Sequence, residues 1–298
     1  MEKISMVPST HQPLRSISLP TRVHPFSQRV EALLNHFKPQ CSQSISRTFC
    51  FEAEQIQSDL VVLVDLYNCM EELFHSPQTQ QALLHYQNGK LVEDSLCGSV
   101  TLLDACDSTR ELILCLKEHV QTLQSAIRRK RGNFSSIERS ICEYDSFRKK
   151  AKKEISKQIS ELKRMENKVK FFSQMGHDQN VIFLARVLRE ANTITISIFR
   201  SLLLFISMPR LRTTTKGSSL ISKFNPTRLF SSDNEQKNIN FVALFGRGKH
   251  IDTKDEIEGA LRSLETLNVG ICGLEGGLDC IFRCLVRNRV SFLNMLAH

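Results

Sequence analysis

Apolar residues recur at every third or fourth position along most of the chain, which is the spacing of one face of an α-helix. The clearest case is residues 91–131, which are predicted to form one long helix. Its apolar seam alternates steps of three and four, as in helices that pack on one another. The seam consists of Ile113, Leu116, Val120, Leu123 and Ile127. Gly132 follows, where a left-handed residue commonly ends a helix.

The same periodicity predicts further helices on both sides of this one. They span roughly residues 27–37, 55–74, 77–85, 137–172 and 181–206. Between Gln78 and Met208 the chain has no proline and only four glycines, although a sheet protein of that length would need many turns. The link over 133–136 is short, so the long helices beside it are predicted to form an antiparallel hairpin. After residue 253 the pattern predicts either a helical hairpin or one long helix.

These elements predict an all-α fold, a bundle of long antiparallel helices. The predicted bundle occupies residues 27–208 and is preceded by a disordered tail over residues 1–26. A polar linker over 209–250 comes after the bundle, and C-terminal helices over 251–298 dock on it. The segment ITISIFRSLLLFISM is apolar almost all round, as expected for a central helix. A membrane span is the alternative reading, but a span needs about 20 apolar residues, whereas this run is shorter and contains Arg200.

Positive charge is concentrated in one part of the chain. The net charge is +9, and residues 128–170 carry fifteen Lys and Arg against six Asp and Glu, which accounts for the whole excess. We call the two dense clusters in this stretch the basic strip. It consists of Arg128, Arg129, Lys130, Arg131, Arg148, Lys149, Lys150, Lys152 and Lys153. An acidic protein or an anionic membrane surface is therefore the expected partner.

Three interpretations of the run RRKRG at 128–132 stay open. Cations in the last turn of a helix stabilise its exposed carbonyl groups. A short Lys/Arg run also serves in nuclear import, and it attracts anionic lipid. Nucleic acid is disfavoured as a partner, because the basic segment has few aromatic residues for stacking and no recognisable base-reading motif.

The segment RSISLP near the N-terminus resembles a phosphorylated ligand of 14-3-3 proteins. Arg15 and Ser16 precede Ser18, the candidate phosphorylation site, and Pro20 follows it. A phosphate on Ser18 would give an Arg-rich reader a doubly charged group to bind. A chance match in a Ser-rich tail, or a segment that docks on the bundle, is the alternative.

Candidate chemistry is sparse. The ten Cys include no Cys-x-x-Cys pair and no zinc spacing, and the start of the chain has no apolar signal segment. We therefore expect reduced thiols that pack as small hydrophobic groups, with Cys69, Cys106, Cys115 and Cys280 among them. The Gly-rich GICGLEGGLDC is interpreted as a loop or helix junction. No catalytic residue, cofactor site, metal site or small-molecule ligand is predicted.

Several segments together resemble one family. They are LRSISLPTRVHPFSQRVEALL, SPQTQQALLHYQNGKLVEDSL, LLDACDSTRELILCLKEHVQTLQSAIRRKRG, SICEYDSFRKKAKKEI, RVLREANTITISIFRSLLLFIS and CGLEGGLDCIFRCLVRNRVSFLN. In this order they look like the plant-specific BYPASS-like family. The resemblance implies an all-helical fold and a link to root and shoot development through a root-derived signal. It implies no catalytic residue, cofactor or metal.

The expected function is that of a non-enzymatic regulatory and interaction protein of plant root and shoot development, which acts through helical surfaces and a phosphorylated tail. One alternative is a peripheral membrane protein that uses the basic strip. Another is an enzyme that acts on the precursor of a root-derived signal. The expected location is the cytoplasm, with the nucleus and the membrane surface as alternatives, and secretion is not expected.

Overall fold

The computed structural model describes residues 25–38, 53–85, 89–129, 134–169, 179–207 and 254–297. Within these ranges the regular elements are all α-helices and no strand is present. The helices are α1 (Pro25–Phe37), α2 (Ala53–Phe74), α3 (Pro77–His85), α4 (Gly89–Arg128), α5 (Phe134–Val169), α6 (Gln179–Ser207) and α7 (Lys254–Ala297). The predicted all-α fold is confirmed. The long-helix alternative holds for the C-terminal region, because α7 is one helix of 44 residues.

Four of the helices form the centre of the bundle. Each packs on the next in the order α2, α7, α4, α6, and α6 closes the ring against α2. Two further helices cover grooves of this ring: α5 lies on α4 and α6, and α1 lies on α2 and α6. Helix α6 is thus surrounded on several sides, which explains why so many of its residues are buried. This agrees with the central position predicted from its apolar second half.

The long hairpin is antiparallel as predicted. The rings of His119 on α4 and Phe147 on α5 lie 4.7 Å apart, and nearer the start of α4 a Cβ at Gly98 would contact Met165. Helices α4 and α7 are also antiparallel, since Arg110 pairs with Asp279 whereas Arg128, later on α4, pairs with Glu265, earlier on α7. All five seam residues of α4 are at most 1% exposed. Their apolar burial, roughly 1.5–3 kcal/mol for each side chain, holds α4 in the core.

Helices α2 and α7 run parallel, a pairing that the hairpin argument does not predict. Gln57 near the start of α2 donates a hydrogen bond to the carbonyl of Gly270, with 3.0 Å between Nε2 and O. Near the other end, the rings of Phe74 and Phe292 lie 5.1 Å apart. Because α2 and α7 are far apart in sequence, no short link forces them to be antiparallel.

The Gly-rich segment lies inside α7, so the prediction of a loop or helix junction there was wrong. The glycines allow α2 to approach closely. A Cβ at Gly270 would lie 2.9 Å from the Cβ of Ala53, and one at Gly277 would lie 2.8 Å from Cδ1 of Leu60. The packing thus compensates for the low helix propensity of glycine.

Other sequence predictions need smaller corrections. Helix α1 begins at Pro25, two residues before the predicted start, which is a usual uncertainty at a helix end. Val290 and Leu293 were predicted on the core face of the last helix, yet they are 48% and 46% exposed. The predicted tail, apart from its last two residues, and the predicted linker at 209–250 lie outside the described residues.

Candidate functional site

The first cluster of the basic strip lies where α4 ends. Arg128 is the last residue of α4, and its guanidinium lies 3.7 Å from a carboxylate oxygen of Glu265 on α7. Arg129 follows in a turn and donates a hydrogen bond from Nε to the carbonyl of Ser125, at 3.1 Å. A cation that binds a carbonyl of the last turn is the structural role expected at a helix end. Lys130, Arg131 and Gly132 lie outside the described residues.

Arg148 has a different role from its neighbours in the second cluster. Its Nη2 donates a hydrogen bond of 2.9 Å to the carbonyl of Ser207, the last residue of α6. This carbonyl has no partner within its own helix, because the last four C=O groups of an α-helix are left open. Arg148 therefore ties α5 to the end of α6.

The four lysines of the second cluster, in contrast, point into solvent. Lys149, Lys150, Lys152 and Lys153 are all exposed, and none forms an ion pair with a described carboxylate. Like charges three or four residues apart on a helix repel each other, which weakens an isolated helix by a few tenths of a kcal/mol per pair. An anionic partner would relieve this repulsion.

The same surface continues towards the end of α5. Lys150, Lys153, Lys157 and Arg164 follow at spacings of three, four and seven, so they share one face of the helix. We call the exposed cations of this helix from Lys149 to Arg164 the basic face of α5. It consists of Lys149, Lys150, Lys152, Lys153, Lys157, Lys163 and Arg164. The last three were missed from sequence, although their helical spacing was a usable signal.

Carboxylates lie mainly beside this face and neutralise little of it. Lys157 and Glu154 are 4.0 Å apart and both are largely exposed, so this pair is weak. Glu166 faces the bundle instead, where its carboxylate lies 3.5 Å from Arg200 of α6. The apolar side of α5, which includes Ile155 and Leu162, is buried. The helix is therefore amphipathic, with a packed side and a cationic side.

A small cavity with a mixed apolar and polar lining lies where α2, α4, α6 and α7 meet. Its volume is about 20 Å³, which is enough for about one water molecule. The side chains of Tyr67, Ser95, Asn192 and Asn288 contribute to its lining. The Oδ1 atom of Asn288 is buried and has no hydrogen-bond partner among the described residues. The cavity suits a bridging water and is too small for a metabolite.

Buried titratable groups in the core are held in their neutral forms. Burial raises the pKa of Cys106 to about 12, and burial also raises the pKa values of Cys284 and Tyr67. A thiol with a raised pKa is a poor nucleophile, because the thiolate is the reactive form. Cys115 and Cys280, which were expected to pack as apolar groups, are exposed instead.

In the part of the chain that the structure describes, no group of three or more His, Cys, Asp or Glu could hold a metal ion. None of the helices within these ranges is both long enough and apolar enough to cross a membrane. The 14-3-3-like motif with Arg15, Ser16, Ser18 and Pro20 lies outside the described residues.

The fold and the basic face together define an all-α bundle protein that presents a cationic helix on its outside. The chain belongs to the family described as Protein BPS1, whose model matches residues 59–295. This confirms the resemblance to the BYPASS-like plant family. Membership suggests a plant developmental regulator of unknown mechanism, and the family is not known as a family of enzymes. No curated protein and no solved structure matches the chain.

Proposed function

We propose that this chain is a non-enzymatic regulator of plant root and shoot development that binds an acidic segment of another protein through the basic face of α5. The observation that carries this proposal is a group of four exposed lysines that form no ion pair with any described carboxylate. They are Lys149, Lys150, Lys152 and Lys153. Family membership supports the developmental role.

The geometry of α5 favours binding over simple solvation of its charges. The helix is fixed on α4 and α6 along its apolar side, and Arg148 ties it to the end of α6. The lysines therefore stand on a rigid scaffold, so a partner does not have to order this part of the backbone. Complementary charge chiefly speeds the encounter and favours the correct partner, and its effect weakens as salt rises.

A charge-reversal experiment tests this proposal. Proximity labelling in root tissue compares the wild type with Lys149→Glu/Lys153→Glu. The control, Arg189→Glu/Arg262→Glu, makes the same charge change at exposed positions on α6 and α7. We expect the α5 variant, and not the control, to lose a set of labelled proteins with acidic segments. Equal losses in both variants, or no loss in either, would show that the basic face is not the binding surface.

Peripheral membrane binding is a second candidate function, supported by the density of the same four lysines. Each cation near an anionic membrane contributes about 1 kcal/mol. Each replacement of a lysine by Gln should therefore lower the affinity for phosphatidylserine-rich vesicles, measured by flotation, about fivefold. Vesicles of phosphatidylcholine alone serve as the control. Unchanged flotation after reversal of Lys149, Lys150, Lys152 and Lys153 would exclude this surface as the lipid contact.

The tail motif adds a separate means of regulation to the proposal. Phosphorylation of Ser18, with Arg15 three residues before it, would create a binding site for a 14-3-3 protein. A pull-down from plant extract compares the wild type with Ser18→Ala, and Ser16→Ala is the neighbouring control. We expect only Ser18→Ala to lose the 14-3-3 protein. Equal recovery from the wild type and Ser18→Ala would end this part of the proposal.

A further inference from the structure

Helix α1 is short and occupies a groove of the bundle. It has 13 residues and packs mainly on α2 and α6. Val30 and Leu34, one turn apart, are 0% and 1% exposed and fill the groove, while Leu33 and Phe37 pack against its edge. A helix of this length is barely stable alone in water, so the groove must supply most of its stability.

Charged residues fix the position of α1 in this groove. The guanidinium of Arg186 on α6 binds both carboxylate oxygens of Glu31, and Nη1 lies 3.3 Å from Oε2. Arg186 also lies 3.6 Å from Glu190, and Glu190 lies 3.8 Å from the ammonium of Lys38. Helix α1 therefore presents to the groove two apolar residues four positions apart, an acid directly after the first of them, and a base seven positions after that acid.

We propose that the groove between α2 and α6 is a helix-binding site, which α1 occupies as an intramolecular ligand and from which a helix of a partner protein can displace it. The partner helix carries the α1 pattern, with apolar residues at the positions of Val30 and Leu34 and an acid opposite Arg186. This is the helix-in-groove mode of recognition, in which anchor residues at helical spacing enter an apolar groove. The site is separate from the basic face of α5, so this inference does not depend on the proposed function.

Labelled peptide binding to the full chain tests the proposal. The probe is a fluorescent synthetic peptide of residues 25–38, followed by fluorescence anisotropy. In the variant Leu34→Asp, a carboxylate at a fully buried position expels α1, and the peptide should bind at least about tenfold more tightly than to the wild type, because no internal competitor remains. The control Ala32→Asp places the same residue on the exposed side of α1, and it should bind the peptide as the wild type does.

A charge swap tests the position of the ligand in the groove. A peptide with Glu31→Arg should bind Leu34→Asp about tenfold more weakly than the unchanged peptide. A chain with both Leu34→Asp and Arg186→Glu should reverse this preference. If the two peptides bind equally to both chains, the contact is not the one described and the proposal is wrong.

Thermal unfolding and molecular mass cover the remaining outcomes. If Leu34→Asp and the milder Arg186→Glu both abolish cooperative unfolding of the bundle, α1 is an integral part of the core and the proposal is overturned. If the wild type is a dimer that loses its dimeric mass in Leu34→Asp, a second copy of α1 fills the groove, and the proposal of a partner protein is overturned. A monomer with an intact melting transition and tighter peptide binding in Leu34→Asp supports it.

Discussion

A hydrogen bond between two buried hydroxyl groups leads to an asymmetric prediction about stability. Tyr67 on α2 and Thr195 on α6 are almost fully buried, and their hydroxyl oxygens lie 2.9 Å apart. The Thr195 hydroxyl also lies 2.7 Å from the carbonyl oxygen of Ala191. A carbonyl can only accept, so Thr195 gives its single proton to Ala191. Tyr67 must therefore be the donor in the bond between the two hydroxyls.

The two single substitutions then have different costs. Thr195→Val keeps the shape of the side chain but leaves the Tyr67 O–H as a buried donor that has lost its acceptor, which costs about 1–3 kcal/mol. Tyr67→Phe removes the donor, while the Thr195 hydroxyl keeps its bond to Ala191, so the cost is about 0.5–1.5 kcal/mol. Adding Tyr67→Phe to Thr195→Val removes the stranded donor. We therefore expect the double variant to be more stable than Thr195→Val alone.

Urea unfolding followed by far-ultraviolet circular dichroism measures these differences. The comparison requires the same m-value for the wild type, both single variants and the double variant, since a changed slope signals a changed unfolded or native state. The reasoning is refuted if Tyr67→Phe costs more than Thr195→Val, because the donor would then be assigned wrongly. It is also refuted if the two costs simply add in the double variant, because the residues would then be uncoupled.

Three further predictions concern packing, alkaline pH and the basic strip. Gly277→Leu forces a side chain against the buried Leu60 and should cost about 1–3 kcal/mol in urea unfolding, whereas Gly276→Leu, at a position where a Cβ meets nothing within 4 Å, should cost nothing. The unfolded thiol of Cys106 loses its proton near pH 9.0 and the folded one only near about 12, so the unfolded state binds fewer protons between these values and stability falls as pH rises. In Cys106→Ala this fall should be shallower by up to about 1.4 kcal/mol per pH unit, as measured by urea unfolding from pH 8 upward, and an equal slope would contradict the assignment. Arg148→Met should cost about 1 kcal/mol because the last carbonyl of α6 loses its donor, while Met at any of the four neighbouring lysines should change stability by less than about 0.5 kcal/mol.

The helices were predictable because their apolar residues follow one strict period. The seam of α4 is an example: its five members were identified from spacing, and all of them are buried. The α4–α5 hairpin was also predictable from a short link, although the predicted link at 133–136 lies too far along the chain, since α4 ends at Arg128 and α5 begins at Phe134. The pairing of α2 with α7 was not, because no short link constrains it and because the glycines that make it close have a low helix propensity.

The end of α7 shows how apolar residues beside the buried face can mislead a sequence prediction. Asn288 and Ser291 are 3% and 6% exposed, whereas the apolar Val290 and Leu293 face solvent. The buried face nevertheless keeps its helical period, because Leu285, Asn288 and Phe292 follow one another at steps of three and four, whereas Leu285 to Val290 is a step of five. The polar Asn288 concealed this continuation. The role of Arg148 was hidden for a different reason, because its acceptor lies on α6.

Ligand binding at the two outer helices, α1 and α5, should change amide exchange in different ways, because the two helices are anchored differently. Helix α5 spans 36 residues and follows α4 after a short link, so an anion on its outer lysines binds a surface that is already in place. Such a ligand stabilises the folded state by mass action and raises the melting temperature. Helix α1 has 13 residues and few anchors, so a ligand of its groove must first release it. Amide exchange within α1 should then rise on binding, while amide exchange in α5 stays slow. A ligand of the basic face should leave exchange in α1 unchanged, so one exchange experiment distinguishes the two surfaces.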